Sequence, residues 1–439
     1  MQTLLRSVPM KKTTRRQFIN TALIGGAGIS ALPLLSFHSS GKNASAEDEK
    51  VRERFEKIDQ AFKQPVLKKA FFPSPVIIES LELLEYNGNY LCRVRSKDGA
   101  EGISVAHANM GRFRQIFLQD MRPFFIGQDA RELDLLLEKV FIYKLNFRLN
   151  GLAVGSPLAA IEFAILDMLG NRIGKSAAEL IGEVRNPEVK LYVATEFREL
   201  PLEEHFERIK RETAKYDSKA LKIKLGFMWD GAKDIHYNGI PGKSEKLIGM
   251  VREHYGDDWA LYADANGYYD YENAVRIGRI LEEYKYGYFE EPVMFYHFEE
   301  IKKVAQTLTI PIANGEQEQN FYNYRWLLAN EGLAIVEPDT YYFGGFIRSM
   351  RAARMADSVG KTCLTHMSGG GLGYVYNALF VSALPNPVEY HEFKGFSTHV
   401  PFECPTSPLT LVNSKMKAPS GPGMGVIIDP DFIAKHKVV

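Results

Sequence analysis

The chain has no excess of charge of either sign. Its 439 residues carry 54 basic and 54 acidic side chains, a formal net charge of zero. Binding along a nucleic-acid backbone needs a basic surplus, so the composition argues against that class of partner. Cysteine is scarce: Cys92, Cys363 and Cys404 are an odd set of three. Cys92 and Cys363 lie in apolar strand-like runs and read as small buried hydrophobes rather than as a disulfide framework. The Gly-rich stretch Met367 to Gly373 (MSGGGLG) lacks the Lys-Ser/Thr of a P-loop, which removes the nucleotide-cradling reading. It could instead bring bare backbone close to a ligand. The apolar run near the N-terminus, Thr21 to Leu35, is too short and Gly-rich to span a bilayer of roughly 30 Å. What is present is ordinary globular material: 45% hydrophobic residues in a length that suits two domains, or one barrel with an attached domain.

Residues 1–46 read as a targeting segment. Lys11 to Ile19 (KKTTRRQFI) holds the twin arginine Arg15-Arg16 and precedes the apolar run, and Ala44-Ser45-Ala46 offers small residues at cleavage spacing. The expectation is a twin-arginine signal and a periplasmic protein with no stable membrane insertion after cleavage; a short anchor or a disordered tail competes. Export after folding agrees with the lack of a disulfide framework. Residues 47–72 form a charged helical extension with Val51, Phe55, Ile58, Phe62 and Leu67 spaced for one face. It should pack on the following domain or on a neighbouring subunit. Residues 73–188 begin with strand patterns at Val76–Leu84 and Tyr90–Arg95, joined by the hairpin signal Asn87-Gly88, then a third at Ile103–Ala106. Helical patterns at 115–118, 130–141 and 158–169 follow, which together read as an α+β domain.

From residue 189 to 394 the grammar changes to strand, helix, strand. The stretch Leu261 to Pro292 shows it best. One apolar run ends in Asp264-Ala265-Asn266-Gly267, a helix with Ala274, Ile277, Ile280 and Leu281 follows, and a second run ends in Glu290-Glu291-Pro292. Similar runs end in Glu316, in Glu337-Pro338-Asp339, in His366 and in Glu389. From Asp264 the successive intervals to Glu290, Glu316, Asp339, His366 and Glu389 are 26, 26, 23, 27 and 23 residues. A β/α unit of a barrel needs about that many, and the C-terminal strand ends form its active-site face. Carboxylates gathered there suit a hard divalent cation such as Mg2+. Lys222 and Lys224 share one face of a strand over 220–225, opposite Leu221, Ile223 and Leu225. Two ammonium groups that close should lower each other's pKa. The loop from Gly226 to Lys243 belongs to the same rim, and Trp229, His236 and Tyr237 on it are candidate substrate contacts, an ordinary surface loop being as good a reading.

The set Lys222-x-Lys224, Asp264-x-Asn266, Glu290-Glu291-Pro292, Gly315-Glu316, Asp339 and His366 resembles the mandelate racemase subgroup of the enolase superfamily, from about Pro73 to the C-terminus. The resemblance implies an α/β fold: a modified TIM-type (β/α)7β barrel with an α+β capping domain, to which the C-terminal segment 395–439 returns. It implies Asp264, Glu290 and Glu316 as ligands of one Mg2+, with Mn2+ as the alternative. Lys224 would be the base on one face of a carboxylate substrate, with Lys222 neutralising the carboxylate. His366, oriented by Asp339, would be the acid/base on the other face. Glu389 on the eighth strand would hydrogen-bond the developing enolate, in competition with His391 and Glu392, and Asn266 would contact a substrate hydroxyl. The chain departs from its relatives in the tight Asn87-Gly88 turn, where they carry a long mobile loop. The 108–113 loop and the N-terminal extension would then supply more of the lid.

The implied chemistry is removal of the proton α to a carboxylate, with the enolate stabilised electrostatically. Dehydration of an acid sugar leads. Epimerisation, racemisation or cycloisomerisation follows from the same opposed bases, and a non-catalytic exported binding protein is the reading from a different class. The partner is a small carboxylate, and a homo-oligomer is expected.

Overall fold

The structure, a computed structural model, describes residues 46–227, 242–368, 372–396 and 398–439. Residues 1–45 of the expected export signal lie outside the described residues, as do Trp229, His236 and Tyr237 and residues 369–371 of the Gly-rich stretch. Helix α1 (Ala46–Lys63) opens the described chain. Strands β1 (Ile78–Tyr86), β2 (Asn89–Ser96) and β3 (Glu101–Val105) form an antiparallel sheet. Tyr86 pairs with Asn89 across a two-residue turn, and Asn87 and Gly88 both have positive φ (49° and 77°), the backbone that matches the twist of a hairpin.

Helices α2 (Met110–Ile116), α3 (Leu133–Ile142) and α4 (Leu152–Ile173) follow. Helix α4 is apolar nearly all round because it is buried on almost every side. It crosses β3 so closely that a Cβ on Gly102 would stand 2.2 Å from the Ala164 carbonyl oxygen.

The second body is a barrel of parallel strands. In chain order these are β4 (Glu188–Ala194), β5 (Ala220–Lys224), β6 (Ala260–Asp264), β7 (Phe289–Glu290), β8 (Ile312–Asn314), β9 (Ile335–Val336), β10 (Thr362–Cys363) and β11 (His391–Phe393). Between them run α5 (Leu202–Thr213), α6 (Lys243–Tyr255), α7 (Tyr271–Glu283), α8 (Phe298–Thr307), α9 (Phe321–Ala329), α10 (Phe346–Asp357) and α11 (Gly373–Ser382). Each strand pairs in parallel with the next from β4 to β10, and β11 pairs with β4. The ring closes where Cys363 N donates to Asn386 O (2.8 Å) and Val388 N to Cys363 O (3.1 Å). This is a (β/α)7β barrel with an N-terminal capping domain.

Alternation along the strands sorts side chains between two cores. Leu221 and Ile223 of β5 face the helices, while Ala220, Lys222 and Lys224 face inward. Below the lysines the barrel is plugged by Tyr192, Tyr262 and Tyr288 with Ala313, Ile335 and Leu364. Tyr262 and Tyr288 stack at 4.3 Å, and Lys222 Nζ lies 5.2 Å from the centre of the Tyr192 ring.

Two elements tie the bodies together. The last strand, β12 (Lys437–Val438), pairs with β1, and Met424 N donates to buried Asp167 of α4 at 2.8 Å. Helix α1 lies along the outside of the barrel. Its Asp59 accepts from Arg325 of α9 at 2.5 and 2.7 Å, Phe62 meets Phe321 edge-on at 5.0 Å, and Arg54 donates to Ala329 O at 2.6 Å. The expectation that this extension helps to cover the barrel mouth is therefore corrected: its apolar face is satisfied by α9. The cysteines are free, with Cys92 and Cys363 buried.

Candidate active site

The C-terminal strand ends bring Asp264, Glu290 and Glu316 together. One carboxylate oxygen from each lies within 4.8 Å of the others, and all three residues are buried. Lys222 bridges the floor of this cluster. Its Nζ donates to both Glu290 oxygens (2.8 and 2.6 Å) and lies 3.0 Å from Glu392 Oε1. Lys224 pairs with Asp264 and donates to Asn266 Oδ1 at 3.0 Å. Asn266 has φ of 43°, and its backbone N–H donates to Asp264 Oδ1 at 2.7 Å. That turn aims the Asn266 amide back into the site, where Nδ2 lies 3.3 Å from Glu291 and from Glu316.

The imidazole stands on the opposite wall. His366 Nδ1 lies 2.7 Å from Asp339 Oδ2, and Asp339 Oδ1 accepts from the N–H groups of Tyr341 (2.8 Å) and Tyr342 (2.9 Å). A carboxylate held in this way fixes the ring and leaves Nε2 facing the cavity. Nε2 lies 3.1 Å from Glu316 and 3.3 Å from Lys394 Nζ. The capping domain reaches the same wall. His107 packs against Tyr341 and Tyr342 (5.7 and 5.5 Å between centroids). Gly155 of α4 lets the Tyr342 carbonyl come so near that a Cβ would sit 1.8 Å from it.

Three expectations change. Glu389 is not in the site: its side chain is 62% exposed and binds Lys190 at 2.8 Å, near the start of β4. Glu392 takes the place. It pairs in register with Tyr192, whose ring fills the barrel interior, so its own side chain points inward. It accepts from Met367 N at 2.7 Å and is 1% exposed. His391 turns the other way, and burial pushes its pKa down to about 3. Against its burial, Lys222, Lys394 and His366 hold Glu392 well below the usual carboxylate range, so it stands as an anion among the site's cations; we predict that Glu392→Gln lowers kcat by about 10²-fold, while Glu389→Gln matches wild type. Steady-state kinetics on any turned-over substrate decides this, and the reverse pattern overturns the assignment.

The second change concerns the lysines. Burial alone would lower their pKa, and their mutual repulsion would add to it. The surrounding acids outweigh both. Glu290 and Glu392 raise Lys222, and Asp264 and Glu316 raise Lys224. The third concerns the lid, for which the loop from His107 to Met110 is the capping element on the site and α1 is not.

Sequence reasoning also passed over Arg198 and Lys394. Both follow strand ends, Arg198 after β4 and Lys394 after β11, so the barrel grammar could have flagged them. Neither sits in a residue pattern of its own.

The inventory of charge bears on what the site can hold. Asp264, Glu290, Glu291, Glu316, Glu337, Asp339 and Glu392 are all buried, against the buried cations Lys222, Lys224 and Arg198. Taking each uncompensated ion from water costs on the order of several kcal/mol. Burial, and then neighbouring acids, hold Glu290, Glu291 and Glu337 well above the usual carboxylate range. Asp264 escapes: burial would raise it, but Lys224, Lys222 and Arg198 hold it well below. An acid-rich, oxygen-only cluster with too few cations fits a hard divalent ion.

The geometry can be set beside known proteins. Residues 204–432 match the family model for enolase C-terminal domain-like proteins, and residues 85–182 match the N-terminal domain of mandelate racemase / muconate lactonizing enzymes. Arabinonate dehydratase of Saccharolobus solfataricus is 24% identical over 78% of this chain and 89% of its own length. D-xylonate dehydratase of Haloferax volcanii is 26% identical over 82% and 89%, and D-galactarolactone cycloisomerase of Agrobacterium fabrum 26% over 73% and 84%. Among solved structures, a candidate racemase of Roseobacter denitrificans superposes with a TM-score of 0.73 at 25% identity, covering 82% of this chain and 98% of its own. A mandelate racemase/muconate lactonizing protein of Paracoccus denitrificans, complexed with magnesium, superposes with a TM-score of 0.70 at 24% identity, covering 83% and 99%.

Proposed function

The chain belongs to the enolase superfamily, and from that premise we propose that it is a divalent-metal-dependent lyase that dehydrates an acid sugar, with Mg2+ as the ion. The observation that carries this reading is the pairing of two candidate bases across one carboxylate cluster, Lys224 on β5 and His366 after β10. The Lys222-x-Lys224 pair set against an Asp339–His366 dyad also supports the mandelate racemase subgroup.

The roles follow from position. Asp264, Glu290 and Glu316 would hold the ion. When bound, it supplies Lewis-acid stabilisation of charge that develops on the substrate carboxylate. Lys222, buried at the floor with its ammonium on Glu290, adds a second positive group near that carboxylate. Lys224 and His366 stand on either side of it. In a dehydration one removes the α-proton, and the other gives a proton to the departing β-hydroxyl. Asp339 keeps the His366 ring fixed for that transfer. Glu392, between Lys222 and His366, would hold those two groups in place. Asn266 lies between Lys224 and the acids, in reach of a substrate hydroxyl.

The same two groups would also permit inversion or ring opening, and the cycloisomerase among the relatives keeps that second reading in play. A library of acid sugars, each scored for 2-keto acid and for α-proton exchange in deuterated water, separates the readings. Keto acid from at least one member is the expected result. Exchange or inversion without keto acid replaces the dehydratase with an isomerase, and no exchange with any member removes both.

A further inference from the structure

Resting on that reading, we infer that the substrate carries a second anionic group, beyond the carboxylate at the metal site, and that Arg198 binds it. Arg198 is 4% exposed. Its Nη2 donates to Asn266 Oδ1, and its Nε has no hydrogen-bond partner. Among the described residues no carboxylate stands within 4.0 Å of the guanidinium. The other cations of the site differ in this respect. Lys222 and Lys224 hold acids of the cluster, and Lys394 has Glu392 at 3.5 Å. A guanidinium is permanently charged and presents a planar fork of five donors that matches a carboxylate or phosphate edge. Buried here, with one donor spent on a neutral amide, it is a cation with no carboxylate within 4.0 Å among the described residues.

The backbone around it is built to keep it there. Phe197 holds φ of 72°, a left-handed conformation that a bulky residue rarely adopts and that turns the next side chain inward. The buried ammonium of Lys243 donates to the carbonyls of Arg198, at 2.6 Å, and of Leu200. The Arg208 guanidinium covers the Phe197 ring at 4.8 Å. The loop after β4 is thus clamped from α6 and from α5, a degree of fixation expected of a binding group and unneeded in a surface connection.

Its place sets the range of the contact. Arg198 and Lys224 share the Asn266 oxygen, so Arg198 lies one strand further round the rim than the group assigned to the α-carbon. It would meet a part of the sugar acid some carbons beyond the reacting centre. A neutral polyol tail asks for hydrogen-bonding groups there but gains nothing from a full charge. A terminal carboxylate or a phosphate ester does, and the two share the oxyanion edge that a guanidinium binds.

The test compares matched stereochemical sets: an aldonate, the aldarate with a carboxylate at both ends, and the aldonate phosphorylated on its terminal hydroxyl. Wild-type enzyme with Mg2+ should favour one of the dianionic members by about tenfold or more in kcat/KM, since a site with a buried charge discriminates against the analogue that leaves it unpaired. Which one wins tells carboxylate from phosphate, and either supports the inference. In Arg198→Gln that preference should collapse mainly through KM. Arg198→Lys should restore part of it, and Lys243→Met should shift KM in the same direction by releasing the loop. If wild type turns over the aldonates best, the inference fails while the dehydratase reading stands, and that result needs no variant. An equal loss of kcat on every member in Arg198→Gln, without change of preference, would also overturn it and leave Arg198 as a support for Asn266. If no acid sugar exchanges its α-proton, the inference falls together with the reading beneath it.

Discussion

Asp264→Ala, Glu290→Ala and Glu316→Ala are each expected to fold and to fail to retain the Mg2+ that we expect the wild type to bind stoichiometrically. The expectation rests on shared geometry, because the three ligand oxygens lie within 4.8 Å of one another on three consecutive β/α units. Losing any one leaves two acids to face the ion alone. Folding should survive, because each side chain sits at a strand end and the apolar faces of β6, β7 and β8 are untouched. The loss can be read without any substrate. A ligand that binds only the native state at a hundred times its Kd stabilises by about 2.7 kcal/mol, so wild type should gain a few °C in Tm with Mg2+ and the variants nothing. Elemental analysis after gel filtration gives the stoichiometry directly. Full metal content in all three variants would place the ligands elsewhere.

The second large effect divides the two bases. Lys224→Ala and His366→Asn should each lose overall turnover by at least about 10² to 10⁴, the contribution of one positioned general base. Their partial reactions should differ. If one group takes the α-proton and the other serves the leaving hydroxyl, exchange of the α-proton with deuterated solvent survives in the variant that keeps the abstracting base. The structure makes the two jobs separable. Lys224 is held by Asp264 at the end of β6 and by Asn266 in the turn after it, and His366 by Asp339, on opposite sides of Glu316, so neither substitution should move the other group. NMR of substrate in deuterated water, beside a keto-acid assay, reads both. Variants that both turn over like wild type would remove the site, and loss of exchange in both would show that the proton passes through the pair as a unit.

Much of this was legible in the sequence because a barrel writes its active site at regular intervals. Asp264, Glu290, Glu316, Asp339 and His366 could be placed on one rim by counting, and Lys222 and Lys224 on one face by alternation. The count failed at its last step. An interval of 23 residues picked Glu389, whereas 26 residues from His366 reaches Glu392. Three acidic or imidazole side chains stand within four positions there, and only the register of β11 on β4 decides which points inward. The lysine pKa direction was misjudged for a related reason. Their pairing was visible in a five-residue strand, but the acids that raise them come from the ends of β6, β7, β8 and β11, far away in sequence. Arg198 was invisible because its meaning lies in what it lacks among the described residues, a close counter-ion, and a sequence does not display a missing neighbour. Helix α1 showed its apolar face but not its destination, which Arg325 and Phe321 supply from 260 residues further on.

The tyrosine plug beneath Lys222 has a consequence for traffic. With Tyr192, Tyr262 and Tyr288 filling the barrel below the charged layer, the described residues leave no way through the barrel floor, and substrate and product both have to pass the rim. The capping loop around His107, which leans on Tyr341 and Tyr342, stands at that rim. Passage over that rim is then a step of its own, and in many enzymes product release rather than chemistry limits turnover.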